Sequence, residues 1–367
     1  MKRARDKTAA SRVFGLVALL GTPLVACGAR TGLPVPDEES VLPDDASTCK
    51  GVEVPVYPHV PNLYFVLDVS GSMQMDSKWQ NVRSSAAALI GELGAHARFG
   101  AAVFPAPLSG IACATGVERM PLQLGDDQGT LETTFLAATA LTPAGGTPTA
   151  STFRALAPSL ENAVGVTYAI LATDGGPNCG TATSCPLDEC TSNIDMVTDP
   201  NGNPLCLPNV PPNCCDGNAQ GCLDGDGAIA AIAELEQAGV LTYVMGIPGS
   251  SPYGTVLDGM AVAGGTARPT EPRYYDVTTS DTDALGAAFT QIANDAMKNC
   301  TFVLENAPAD GSKINVYVGG QLLPADGPNG WTEHGSAVTL QGASCGQVQS
   351  EAGPPPVQVF AGCPTVH

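Results

Sequence analysis

Basic side chains are scarce in this sequence: Lys and Arg number 16 against 36 Asp and Glu, leaving a formal net charge of −20 over 367 residues. Nucleic-acid binding needs clustered cations to neutralise phosphates, so nucleic acid is excluded as a partner. Charge of either sign makes up only 14% of the chain, and its turns are built instead from the 42 Gly and 31 Pro, with Asn and Thr. Histidine is scarcer still. His59, His96, His334 and His367 are the four present, and none lies in a motif, which withholds the usual base from a serine nucleophile. No Cys-x-x-Cys occurs among the 13 cysteines, so a zinc ribbon has no ligand pattern to build on. Beyond residue 20 no apolar run is long enough to cross a bilayer.

What is present first is an export signal. Lys2, Arg3, Arg5, Lys7 and Arg12 precede an apolar run over 13–20, and Leu24-Val25-Ala26-Cys27 follows. The charged start and the short apolar run read as a secretory signal rather than a mature membrane helix. Leu-Val-Ala-Cys resembles a bacterial lipobox, which implies removal of residues 1–26 and lipidation of the Cys27 thiol; the alternative is an ordinary signal peptide cleaved after Ala26. Gly28, rather than Asp, follows Cys27, and by the same resemblance this implies an outer-membrane anchor in a bacterial cell envelope. Setting Cys27 aside leaves 12 of the 13 cysteines, an even number in an exported chain, and therefore disulfides.

Residues 27–61 hold six prolines and the acids Asp37, Glu38, Glu39, Asp44, Asp45 and Glu53, without periodicity. They read as an extended tether, with Cys49 tying its end to the body. From residue 62, buried-strand patterns at 63–67, 98–104, 166–173, 240–247 and 274–277 alternate with helical ones at 79–93, 131–141, 149–160, 228–237, 255–263 and 284–297. That alternation predicts an α/β fold over 62–299: a doubly wound, mainly parallel sheet flanked by helices. One irregular stretch interrupts it. Residues 175–227 carry Cys179, Cys185, Cys190, Cys206, Cys214, Cys215 and Cys222; seven is odd, so at least one bridge must leave this insertion, and Cys113 is the preferred outside partner. Other connectivities stay open. After residue 300 short alternating segments with a Gly319-Gly320 turn, and Cys300, Cys345 and Cys363, predict a small β module over 300–367.

The chain is organised around Leu63-Tyr64-Phe65-Val66-Leu67-Asp68-Val69-Ser70-Gly71-Ser72. An apolar strand ends at a carboxylate, with hydroxyls at alternate positions after it, on the sheet edge where open α/β folds bind ligands. Carboxylate and hydroxyl oxygens without sulfur or imidazole suit a hard cation, Mg2+ first, with Mn2+ or Ca2+ as alternatives. Thr147, in a Gly/Pro-rich loop before a helix, and Asp174, at the end of another buried strand, offer more oxygens. Each residue alone also reads as a turn or helix cap.

In this order, Asp68-x-Ser70-x-Ser72, Thr147 and Asp174 resemble the von Willebrand factor A domain and its metal-ion-dependent adhesion site. The resemblance covers residues 62–299. It implies that Ser70 and Ser72 touch the ion, that Thr147 joins them when ligand is bound, and that Asp68 and Asp174 act largely through waters. It also implies an outward position taken by an acidic group of a protein or polysaccharide partner. The expected function is therefore a lipid-anchored envelope adhesin and not an enzyme. A metal-dependent extracytoplasmic hydrolase and a structural envelope protein with a silent metal site are the alternatives. Asp68→Ala or Asp174→Ala is expected to abolish cation-dependent binding while the sheet's core keeps the fold.

Overall fold

The computed structural model describes residues 51–58, 60–107, 110–182, 184–199, 201–207, 213–297, 300–305, 308, 310–348 and 356–367. The lipobox, Cys27 and Cys49 lie outside them. The described chain opens with two short strands, β1 (Val52–Val54) and β2 (Val56–Pro58), and then runs into β3 (Asn62–Asp68), all seven residues of which are buried.

Side chains alternate across a strand, and β3 uses both faces. Leu63, Phe65 and Leu67 pack on one side against α1 (Lys78–Leu93), α2 (Thr130–Ala138) and α7 (Thr282–Met297), through Trp79, Ile90, Phe135 and Phe289. Tyr64 and Val66 pack on the other against α3 (Thr149–Glu161), α5 (Gly225–Gln237) and α6 (Gly254–Ala263), through Phe153, Ile232 and Met260. This two-sided burial is why the strand reads as one unbroken apolar run.

The remaining strands are β4 (Arg98–Phe104), β5 (Val117–Leu124), β6 (Thr167–Thr173), β7 (Val240–Gly246) and β8 (Tyr275–Asp276), in the order β5-β4-β3-β6-β7-β8. All pairs are parallel except β4 with β5. The fold is thus the expected doubly wound, mainly parallel sheet flanked by helices. The antiparallel strand β5 was not legible: it is an edge strand containing Pro121, and of its residues Met120 is the one fully buried, so it carries no apolar run. The chain leaves β3 for β4 on one side and later returns to β6 on the other. The switch point between β3 and β6 lies beside Asp68 and Asp174.

The insertion carries a short helix, α4 (Thr191–Ile194), and is stapled by Cys185–Cys222, Cys190–Cys215 and Cys206–Cys214. Cys113–Cys179 is the bridge that leaves it, with the preferred partner.

The end of the chain forms the expected small β module, of strands β9 (Thr301–Leu304), β10 (Ile314–Val318), β11 (Gln321–Leu323), β12 (Trp331–His334), β13 (Ala337–Leu340) and β14 (Val357–Ala361) with the helix α8 (Gly342–Val348). Its extent differs from expectation: β1 and β2 complete its two antiparallel sheets, β1-β14-β10-β11 and β12-β13-β9-β2. The sheets share an apolar core that includes Val54, Leu304, Ile314, Val338 and Val359. The stretch read as tether up to residue 61 therefore includes two strands of this β unit, into which the α/β domain is inserted. Three-residue strands next to Pro55 and Pro58 leave too short a pattern to read, and their pairing partners lie more than 240 residues away. Cys300–Cys345 staples the unit, and Cys363 is disulfide-bonded as well.

Candidate metal centre

The backbone stitches three loops together before any side chain is considered. Val69 N–H donates to Phe104 O and Gly71 N–H to Gly145 O, while Ala144 N–H donates to Val69 O. Thr147 O accepts from Asn178 N–H, and Thr147 N–H donates to the Asn178 Oδ1 at 2.7 Å. Gly145, at φ +93°, has Ala112 O where a Cβ would stand, 2.7 Å away, so the glycine there is required. The loop carrying Thr147 is thereby held between the one after β3 and the one after β6. Cys113–Cys179 clamps it from outside.

The side chains follow. Asp68 is fully buried; its Oδ1 accepts Ser70 N–H at 2.7 Å and its Oδ2 accepts the Thr173 hydroxyl at 2.6 Å. Ser70 Oγ and Ser72 Oγ lie 3.1 Å apart, and Ser72 Oγ donates to Asp174 Oδ1 at 2.7 Å. Ser70, Ser72 and Thr147 line one pocket of about 140 Å³, together with Gly175, Asn178, Thr191, Asp195 and Tyr253. The structure thus gathers Asp68, Ser70, Ser72, Thr147 and Asp174 around the switch point.

Four residues there were not read from the sequence. Lys78, at the start of α1, buries its ammonium against Asp174 Oδ2 at 2.7 Å. A lysine in a helix's first turn opposes the dipole, and this is the sole lysine between residues 51 and 297; that conflict was the available signal. Asn178 fixes Thr147, as above. Asp195 follows α4 on the insertion and accepts a hydrogen bond from the Tyr253 hydroxyl at 2.7 Å. Neither Asp195 nor Tyr253 stands in a motif.

Lys78 changes one expectation. Asp174→Ala would leave a buried ammonium without its partner, so it is not a substitution that spares the fold.

Burial pushes the Asp68 carboxyl up to about 7; the neighbouring Asp174 adds to this, and the bonds from Thr173 and Ser70 oppose it. Burial also raises Asp195, against its bond from Tyr253, with Asp174 adding and Lys78 opposing. Asp195 is exposed as a residue and lines the pocket, with its Oδ1 held by Tyr253.

Three carboxyl groups, those of Asp68, Asp174 and Asp195, stand near one ammonium, and hydroxyl oxygens line the pocket. A donor set of carboxyl and hydroxyl oxygens fits a hard divalent cation. A second cluster does not fit a metal. The sulfurs of Cys185, Cys215 and Cys222 lie close together, but each belongs to a disulfide and offers no thiolate.

No protein-family model matches this chain, and no curated protein does. Among solved structures it is similar to the pilus adhesin SpaC from Lactobacillus rhamnosus GG in its open conformation, at 17% identity and a TM-score of 0.44. That likeness covers 82% of this chain and 38% of the adhesin. The vWF domain of the type V pili tip protein Mfa5 from Porphyromonas gingivalis is similar at 15% identity and a TM-score of 0.42, over 66% of this chain and 95% of that one. The PilB minor pilin from Streptococcus sanguinis is similar at 18% identity and a TM-score of 0.41, over 65% of this chain and 61% of the pilin. At these values the likeness concerns the course of the chain, not a ligand or an activity.

Proposed function

We propose that this protein is a cell-envelope adhesin that engages a protein or polysaccharide partner through a divalent cation, Mg2+ first, at the pocket between β3 and β6. The observation that supports it is the convergence of three separate loops, so that Ser70, Ser72 and Thr147 line one small pocket, with Asp68 and Asp174 hydrogen-bonded to Ser70 and Ser72. Ser70, Ser72 and Thr147 would hold the ion, and Asp68 and Asp174 would balance its charge. Bound there, the ion would supply an electrophilic centre for a partner's carboxylate. The chain's own part is structural. Asn178 positions Thr147, Thr173 and the Ser70 amide orient Asp68, and Lys78 holds the Asp174 side chain in place.

The hydrolase reading has less support. No histidine is among the residues lining the pocket, and the Ser70 hydroxyl has another hydroxyl as its neighbour rather than a base. The anchor belongs to the proposal too: lipidation of Cys27 would hold the protein at the bacterial surface, most simply in the outer membrane.

Calorimetric titration of the chelator-treated protein with Mg2+ and Mn2+ tests the site, with Ser70→Ala/Ser72→Ala as the comparison. Saturable uptake lost in the variant is the expected result. Equal uptake by both proteins, or none by either, removes the cation from the proposal. Membrane fractionation of the Cys27→Ser variant tests the anchor, with release into the soluble fraction expected.

A further inference from the structure

The insertion does more than border the pocket. Asp195 is the residue just after α4, and it lines the same pocket of about 140 Å³ as Ser70, Ser72 and Thr147. Its position is built in from two sides. On the insertion side, Cys190–Cys215 pins the residue before α4, Cys185–Cys222 runs beside it, and buried Asn193 accepts the Cys214 N–H. On the sheet side, the Tyr253 hydroxyl holds Oδ1 at 2.7 Å, and the Tyr253 ring is almost wholly buried against Gly176, where a Cβ would stand 2.4 Å from it. The Asp174-Gly175-Gly176 turn thus makes room for the ring that grips Asp195. Among the described residues no other group is recorded as donating to this carboxylate, so Oδ2 is free to bind.

We infer that Asp195 is an internal acidic ligand: with a divalent cation in the pocket, it takes the outward coordination position that a partner's carboxylate needs. This rests on the cation reading given above. The disulfides and Tyr253 pre-organise the carboxylate, so its engagement costs little conformational entropy. A partner's acidic group must then displace Asp195, and the insertion sets a threshold that excludes weakly binding carboxylates. Specificity would come from that competition rather than from the cation alone.

The test uses Mn2+ as probe, with the full chain in its oxidised form. Electron paramagnetic resonance gives its affinity, and water-proton relaxation gives the number of exchangeable waters on the bound ion. Asp195→Ala is expected to weaken Mn2+ by about tenfold, to add one exchangeable water, and to strengthen acetate binding to the loaded protein. Asp188→Ala, an exposed acid on the same insertion, is expected to change none of these. Should Asp195→Ala fold poorly, Tyr253→Phe keeps the carboxylate and removes its grip, and is expected to give a smaller change in the same direction. If wild type and both pocket variants show equal affinity and hydration, the internal ligand is refuted and the cation site stands. If the wild type takes up no Mn2+, both fall.

Discussion

The two ends of the parallel sheet differ in a way that volume alone would misjudge. At the amino ends of β3 and β4 lies a hollow of about 550 Å³, lined by Asn62, Tyr64, Arg98, Glu118, Leu122 and Val164 among others. At the carboxyl ends lies the pocket of about 140 Å³. The large hollow is balanced in charge, although the buried Asn62 Oδ1 has no hydrogen-bond partner there among the described residues. Tyr64 donates to Glu118 at 2.9 Å, the Asn62 amide N–H groups donate to Val164 O and Thr167 Oγ1, and one cation stands there with one anion. The small pocket is lined by Asp195, and the buried Asp68 and Asp174 are tied to its Ser70 and Ser72, with the ammonium of Lys78 on Asp174. Unbalanced charge, not space, marks the end of the sheet that can attract a ligand.

The largest test of this contrast is the buried pair. Asp174→Ala is expected to cost about 3–5 kcal/mol in chelator, because it strands Lys78, while Asp174→Asn, whose amide can accept from Lys78 and donate to Ser72 but brings no charge, is expected to cost less. Urea unfolding of wild type and the two variants decides it, and an Asp174→Ala midpoint equal to that of wild type would mean that the pair does not hold the site.

Next comes the clamp. Replacing Cys113 and Cys179 by Ser opens a bridge spanning 66 residues and is expected to cost about 2–4 kcal/mol. Because the bridge backs the Thr147 loop, Mg2+ uptake should weaken as well. Loss of stability with unchanged uptake would separate the clamp from the site.

A smaller effect follows from protonation. The Asp68 carboxyl is raised from 3.8 to about 7, so the folded, metal-free protein binds more protons than the unfolded chain between those values. Its stability should therefore rise as pH falls from about 7 toward 4, and Asp68→Asn should flatten that part of the curve. Saturating Mg2+ should reverse the trend, since the cation favours the ionised form. Thermal unfolding across pH, with and without Mg2+, reads both.

The smallest change belongs to the other end of the sheet. Tyr64→Phe is expected to cost about 1 kcal/mol and leave Mg2+ uptake untouched. A loss of uptake would mean that the two ends are coupled.

How much was legible depended on how local the signal is. Strands buried on both faces, such as 98–104 and 167–173, announce themselves as apolar runs, and their helices follow from spacing. Asp68, Ser70, Ser72, Thr147 and Asp174 could be picked out because each sits at the end of such a run or in a Gly/Pro loop. Strand β5 could not, since its faces are mostly exposed. Nor could β1 and β2, whose three-residue segments gain meaning only beside β14 and β9.

The sequence by itself determined the alternation of strand and helix, the hydroxyl-and-carboxylate motif at a strand end, and the disulfide character of the insertion, because each is a property of neighbours along the chain. Only the tertiary structure decided that Lys78 faces Asp174, that Asp195 and Tyr253 close the pocket, and that the two ends of the described chain share one β core. Those are contacts between residues 58 to more than 240 positions apart, and what selects them is the burial and charge of the assembled molecule, which no stretch of sequence carries alone.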